Sequence, residues 1–558
     1  MNSGNPPSGA SASAGPWAPL RRVDFRMLWL AALVSNTGSW MQTMAAGWLM
    51  TELTHSPAKV AMVQAAQSLP MFLLALPAGA LADIVDRRMQ LIVAQSWMLA
   101  FAALLAITTY AGVTTPGWLL ALTFLIGCGA AAQTPAWSAS VQELVPRPEL
   151  QSAVALNGMS INVSRAVGPA LAGLIVVWSG TATVFLLNTL SFLAVIFALF
   201  RWKRLHTASA MPAERLLGAL RSGWRYARHA PFLQRVLLRQ LTFFPFASAV
   251  WALLPLVASQ ELGGDARLYG GLLGGIGVGA VAAMLGLPRI TRRVSRDRLL
   301  AGAFAVYAAA NVLLAAFANV YAAAVAVLLV GASWMAVLSG LQVAVQTALP
   351  SWVRARGLAL YWVVLMACMA AGSLGWGHLA EWIGIPWTLV GAGAGLVVAL
   401  LATPRLKIGG HDDLDLTPSS HWPAPMPAAE PQLEAGPVLV TVEYRIRQEN
   451  VKRFLKAMRS VRRMRLRDGA VFWQVYRDTD LPERFVEHFV TESWAEHLRQ
   501  HARVTVADRD VEARIRALHQ GPEPPRVHHY IAGGAEVEPL GRPVAGAPGD
   551  SLPASGAR

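Results

Sequence analysis

Charge is what this chain has least of: 14% of its 558 residues are Asp, Glu, Lys or Arg, against 54% hydrophobic. Soluble domains carry about 25% charged residues, so a water-soluble globule is excluded for most of the length and a lipid bilayer is the expected solvent. Cysteine is nearly absent. Cys128 and Cys368 are the only two and both lie in apolar runs, which excludes a disulfide framework or a cysteine-based metal knuckle. Residues 1–20, MNSGNPPSGASASAGPWAPL, lack the charged start and short apolar core of a cleaved leader and read as a disordered tail.

What the chain has is long apolar runs. A spanning helix needs about 20 apolar residues, and twelve such segments precede residue 403: 27–50, 57–82, 89–111, 116–141, 150–177, 181–200, 236–259, 268–288, 298–318, 321–347, 356–379 and 384–403. The formal charge of +15 is carried by this part, with 25 Lys and Arg against 11 Asp and Glu in residues 1–400, whereas residues 401–558 have 22 against 21. With the N-terminus inside, Arg21, Arg22, Arg26, Arg87, Arg88, Arg147, the basic stretches 201–239 and 289–298, Arg354 and Arg356 fall on one side; Lys59 and Arg267 fall on the other. That asymmetry is the positive-inside rule. It places both termini in the cytoplasm of a bacterial-type inner membrane and makes a nucleic-acid partner unnecessary.

Val141, Gln142, Pro146, Ala155 and Leu156 recur 204 residues later as Val345, Gln346, Pro350, Ala359 and Leu360, each set at the joint between a fourth and a fifth helix. Two parallel six-helix repeats are expected, 21–200 and 236–403. The basic segment 201–235 carries Leu216, Leu217, Leu220, Trp224 and Ala227 at helical spacing among Arg215, Arg221, Arg225 and Arg228, an amphipathic linker for the anionic inner leaflet. Residues 404–436 read as a linker rich in proline, alanine and acids. Residues 437–533 read as a cytoplasmic α+β domain, ferredoxin-like, with a strand at VLVTVEYRI, helices at 448–466 and 495–519, paired strands around 478–483 and a last strand at VHHYIA. Residues 534–558 read as a second disordered tail.

The joint GALADIVDRR supplies Gly79, Asp83, Arg87 and Arg88, with Asp86 where a second glycine would stand. It resembles the hallmark of the major facilitator superfamily, Gly-x-x-x-Asp-x-x-Gly-Arg-Lys/Arg. The resemblance implies a conformational latch in which Gly79 permits close helix approach, Asp83 accepts from the opposite half and the arginines pair with acids. The corresponding stretch GLPRITRRVSRD keeps Gly286, Arg292 and Arg293 but has no acid at the Asp83 place, so an asymmetric latch is expected. Gly168, Pro169 and Gly173, with Ala155, Ser164 and Ala172, resemble the fifth-helix antiporter motif of that superfamily, which implies efflux. Phe25 to Pro57 followed by a joint ending in DRR is similar to the enterobactin-exporter-like, or transmembrane secretion effector, branch. That branch implies alternating-access export of a small molecule, a siderophore, drug or metabolite.

Arg165 is the only charge for about fifteen residues on either side and lies roughly 20 Å into its helix. Asp24, Glu52, Asp83, Asp86, Glu143, Glu149, Glu261, Asp265, Asp297 and Glu381 all fall at helix ends or in loops. Arg165 therefore faces a water-filled cavity, helix-end carbonyls, amides or an anionic ligand, or else packs in the interface between halves. The candidate cavity or gate residues are Arg165, Asn36, Trp40, Gln42, Gln67, Gln133, Trp334 and Gln342. With no mid-span carboxylate, proton coupling would have to use Asp24, Glu52, Glu143 or Glu381, or His378.

In the tail, KRFLKAMRSVRRMRLR has eight basic residues and no acid, with Phe454, Met458 and Val461 on one face; it covers a sheet as a solvated helix or docks on a membrane surface. His497 and His501 stand one turn apart, followed by His528 and His529, without acids or cysteines at ligand spacing. No metal and no cofactor is expected. ESWAEHLRQH is similar to the strand-to-helix joint of antibiotic-biosynthesis monooxygenase-like domains. That resemblance implies a tail-mediated homodimer, and a rival reading in which the tail of a membrane-anchored enzyme or sensor carries the activity. The tail offers no nucleophile, phosphate loop or acid-base pair, so a non-enzymatic transporter is the expectation.

Overall fold

The structure, a computed structural model, describes residues 15–202, 216–409, 415–419, 421–423, 427 and 431–532, apart from the side chains of 76, 80, 82–84, 216–222, 351 and 405. The two tails expected to be disordered, and parts of both linkers, therefore lie largely outside the described residues. The chain divides into two compact units between Thr417 and Pro418.

The first unit is a bundle of α1 (Val23–Leu53), α2 (Pro57–Ile84), α3 (Arg87–Tyr110), α4 (Pro116–Glu143), α5 (Leu150–Ser179), α6 (Thr181–Arg201), a short α7 (Leu216–His229), α8 (Pro231–Leu256), α9 (Ala266–Thr291), α10 (Arg296–Ala316), α11 (Val320–Ala348), α12 (Ser351–Ile383) and α13 (Ile385–Ala402). The starts follow from local chemistry. Ser56 and Thr115 cap α2 and α4, each followed by proline in the first turn, while Asp86 and Asp265 cap α3 and α9. Gly180 and Gly384, 204 residues apart, each turn one helix directly into the next at a φ of 82°, which a residue with a Cβ adopts only under strain. Joints this short make successive long helices antiparallel. We call the end at which α1 begins proximal and the other distal.

Among the described residues eleven helices are long and apolar enough to cross a membrane, not the expected twelve. The exception is α1. It has the length, but Ser35, Asn36, Thr37, Ser39, Gln42 and Thr43 dilute its apolar run. The short α7 leaves Trp224 exposed and buries Tyr226 edge-on against Trp352, with ring centroids 5.6 Å apart; Leu216, Leu217, Leu220 and Arg221 lie outside the described side chains and Arg215 outside the described residues. Helices α1 to α6 pack among themselves, as do α8 to α13. The two sets meet chiefly where α5 lies on α9 and α2 on α12.

The second unit has β1 (Val438–Arg445), α14 (Val451–Asp468), β2 (Phe472–Arg477), β3 (Arg484–Thr491), α15 (Trp494–Arg503), α16 (Val506–Arg516) and β4 (Arg526–Ile531). Its antiparallel sheet has the order β2-β3-β1-β4. Val438, Val440, Val442 and Tyr444 alternate inward along β1 and meet Phe454, Met458, Val461 and Met464 of α14. The single helix expected over 495–519 is instead two. Val504 is extended, and Thr505 starts α16 with a capping box to Asp508. One of the eight basic residues of α14 is not solvated: Arg465 is buried, donating to Glu487 at 2.9 Å and to Glu512 at 2.7 Å.

Candidate functional site

The interface between the two helix sets is built on missing side chains. A Cβ added at Gly173 would lie 2.6 Å from the Ala266 carbonyl oxygen, one at Gly270 2.5 Å from the Pro169 carbonyl oxygen, and one at Gly277 2.5 Å from the Ala166 Cα. Backbone thus touches backbone along α5 and α9, as small residues permit in apolar surroundings. Gly168 does the same against α1, where a Cβ would meet the Thr37 carbonyl oxygen at 3.0 Å. On the other side Gly377 of α12 sits against Ala61 and Ala58 of α2. Polar and aromatic contacts seal the same distal end. Ser56 Oγ donates to Glu381, Trp48 stacks on Tyr269 at 6.2 Å, and Trp48 Nε1 donates to Glu52 at 2.7 Å.

The proximal end differs. A Cβ added at Gly79, Gly158 or Gly286 meets no atom within 4 Å. Gly79 was expected to permit close helix approach and does not do so here, because α2 meets α12 at the distal end instead. The rest of that joint is tied within the first helix set. Asp86 caps α3 through the Met89 N–H, Arg87 bonds Glu143 at 2.6 Å, and Arg88 donates to the Leu199 and Phe200 carbonyl oxygens closing α6. The Asp83 side chain lies outside the described ones. In the second set Arg239, which the sequence reading did not single out, pairs with Asp297 at 2.9 Å, and Asp297 also accepts from the Ile408 and Gly409 amides.

Arg165 is at mid-bundle, between the tight seam and the open end. Its backbone oxygen lies against Gly277, and its guanidinium lies over the Trp40 ring, 5.2 Å from the centroid. Its Nε and Nη1 are shielded from solvent and hydrogen-bond to nothing. A cation–π contact contributes about 0.5–2 kcal/mol, while each buried N–H left without an acceptor costs about 1–3 kcal/mol. The site is short of an acceptor. Trp40 leads to an aromatic wall crossing the interface: Trp40 to Trp251 at 6.5 Å, Trp251 to Trp334 at 5.2 Å, and Trp334 to Phe244 at 5.0 Å.

The other residues singled out from sequence are distributed unevenly. Trp334 joins the wall. Asn36 bonds Ser160 at 3.3 Å, one step toward the proximal end along the α1–α5 contact. Gln42 accepts from Asn188 of α6, and Gln133 accepts from Gln95 of α3 at 2.6 Å, so both tie helices within the first set. Gln67 and Gln342 are half-buried. Asp24 is exposed in the first turn of α1, and His378 bonds its own helix at the Leu374 carbonyl. Trp251 and the stripe Gly270, Gly274 and Gly277 were missed. The stripe had a signal in its small-residue spacing, whereas nothing local distinguishes Trp251 from the other tryptophans of the chain.

A two-set helical bundle with a small-residue seam and a polar cation at its middle defines a transporter of the major facilitator type. Residues 14–537 match the transmembrane secretion effector family, to which the chain belongs. It is 26% identical over 405 residues to the uncharacterized MFS-type transporter YfiS of Bacillus subtilis, covering 69% of this chain and 94% of that one. It is 23% identical over 264 residues to the staphyloferrin A transporter of Staphylococcus aureus; that match covers 46% of this chain and only 65% of the relative's length. Among solved structures, a bacterial homologue of the lysosomal transporter Spinster, inward-facing and unoccupied, aligns with a TM-score of 0.55 at 14% identity, over 70% of this chain and 98% of that one. The nucleoside transporter NupG aligns at 0.58 and 12% identity, over 69% and 99%. These likenesses establish the fold.

Proposed function

We propose that this transporter exports a small anionic organic molecule, a siderophore, drug or metabolite, by alternating access, with Arg165 as its mid-membrane anion contact. The observation that carries this reading is the Arg165 guanidinium, held over Trp40 with two shielded nitrogens whose N–H groups lack an acceptor. A carboxylate, phenolate or phosphate arriving between Arg165 and the wall of Trp40, Trp251 and Trp334 supplies that acceptor and stacks its apolar body on indole rings. The staphyloferrin A transporter among the relatives favours a siderophore. Efflux is favoured by the resemblance of Gly168, Pro169 and Gly173 to the antiporter motif of the superfamily; in the structure Gly168 and Gly173 lie against α1 and α9.

In this reading α1 is a twelfth span and the bundle is two six-helix repeats, 21–200 and 236–403. The joints at Gly180 and Gly384 support the repeat. The charge asymmetry of the loops supports a cytoplasmic proximal end in a bacterial inner membrane. The packed distal glycines and the open Gly79, Gly158 and Gly286 then describe an inward-open state. Its conversion to outward-open parts α5 from α9 and brings the latch residues Gly79, Asp83, Asp86, Arg87 and Arg88 toward the second half. Glu52 and Glu381, both engaged in distal contacts, are the acids whose protonation would loosen that end, with Asp24 and Glu143 as the proximal pair. The tail, 437–533 after a linker at 404–436, runs β-α-β-β-α-α-β, which supports a ferredoxin-like unit whose second helix is broken in two, and serves as a dimerising regulatory module.

Arg165 is tested in proteoliposomes with a panel of anionic and neutral solutes, including catecholate siderophores, with and without a proton gradient. Arg165→Ala is expected to insert normally and lose transport of anions, while Arg165→Lys retains part of it. Full anion transport by Arg165→Ala would refute the anion-contact role.

A further inference from the structure

The C-terminal unit brings together three histidines that its chain order separates. His497 and His501 stand one turn apart on α15. His529 lies on β4 opposite Val440, a core residue of β1, so it points to the helix-covered side of the sheet, whereas its neighbour His528 points to the other side. The ring centroids of His497 are 4.8 Å from those of both His501 and His529, and one nitrogen from each of the three lies within 4.8 Å of the others.

We propose that His497, His501 and His529 form a binding site for a divalent late transition ion of the zinc class. Three imidazoles with no thiolate or carboxylate select zinc, copper or nickel over magnesium or calcium. Zinc takes histidine nitrogens at about 2.0–2.1 Å, which sets nitrogen pairs roughly 3.4 Å apart. The rings need to draw in by about 1 Å, within reach of side-chain rotation. A second observation points to a ligand here. His497 is 1% exposed and Gln500 is fully buried, yet neither ring nitrogen of the one nor either amide atom of the other makes a hydrogen bond of normal geometry. Gln500, one turn on, is close enough to hold one His497 ring nitrogen, and the other buried nitrogen is left for an ion. Partial exposure of His501 and His529 leaves an entry path and an open coordination position. The nearby cation Arg465 is paired with Glu487 and Glu512, which offset much of its repulsion of an ion. Trp422 and Trp494 pack on His501 and His497 at 4.9 and 5.4 Å and restrict their rings.

The test uses full-length protein in detergent, purified without a histidine tag and stripped with chelator, and Co2+ as the visible probe. One equivalent is expected to bind with ligand-field absorption that Zn2+ abolishes. In His501→Gln and in His529→Gln the absorption disappears and affinity falls at least about 100-fold, while His528→Gln behaves as wild type. Zn2+ also raises the unfolding temperature of the C-terminal unit in wild type and His528→Gln only. Circular dichroism checks folding, and either of the first two variants alone carries the test. Absence of saturable binding, or a signal that survives both of those variants or is lost equally in His528→Gln, overturns the site.

Discussion

Replacing Gly270 by alanine adds one methyl group at one of the two tightest points of the α5–α9 seam. That methyl would stand 2.5 Å from the Pro169 carbonyl oxygen and 3.0 Å from the Gly173 Cα. Ordinary carbon–oxygen contact is about 3.3–3.6 Å, so two backbones must move apart by on the order of 0.8 Å. Overpacking of this kind costs about 1–3 kcal/mol, and the cost falls only on the state in which the seam is closed. A bias of that size moves the ratio of two conformations roughly 5- to 150-fold. Gly271, the next residue, is the control, since a Cβ there meets nothing within 4 Å. Hydrogen–deuterium exchange in nanodiscs reads both ends at once. In Gly270→Ala, distal segments 51–59 and 261–269 should exchange faster and proximal segments 79–89 and 286–296 more slowly, whereas Gly271→Ala should match wild type. Identical behaviour of the two variants, or changes of one sign at both ends, would refute the reasoning that this seam holds the distal end shut.

Two further outcomes concern the C-terminal unit. Arg465→Ala leaves the fully buried Glu487 with no cation and removes the ring contacts to Trp422 and Phe489; loss of about 3–5 kcal/mol is expected, seen as early unfolding and proteolysis of this unit in the full chain. For Glu512, burial pushes the carboxyl up, but Arg465, His421 and Trp422 outweigh it and hold it at about 2. A depressed acid contributes stability that is complete above the unfolded value near 4.5 and is lost as pH falls toward 2. The stability difference between wild type and Glu512→Gln should therefore be constant near neutral pH and shrink over that window, as followed by thermal unfolding. A difference that is flat from pH 6 to 2 would contradict it.

Membrane spans, loop charge and the switch to a soluble tail were legible from the sequence because each depends on local composition. Hydropathy over 20 residues and the side on which arginines fall need no knowledge of partners. The alternation of β1 and the apolar face of α14 were readable for the same reason. Even so, α1 fell outside the apolar criterion, since the polar residues that serve the interior also dilute its hydropathy. The break between α15 and α16 had a local cause in Thr505 and Asp508 that the helical pattern around it obscured.

Only tertiary structure decided what faces what. Periodicity cannot tell an amide lining a cavity from one bonding a neighbouring helix, and Asn36, Gln42 and Gln133 proved to bond Ser160, Asn188 and Gln95 of neighbouring helices. Arg165 was recognisable from its isolation, but its place over Trp40, and the continuation of that wall through Trp251 to Trp334, depends on four helices converging. His529 became a neighbour of His497 and His501 because β4 pairs with β1 beneath α15. Local pattern determines which solvent a segment prefers; the meeting of side chains distant in sequence is set by packing, which no short window contains.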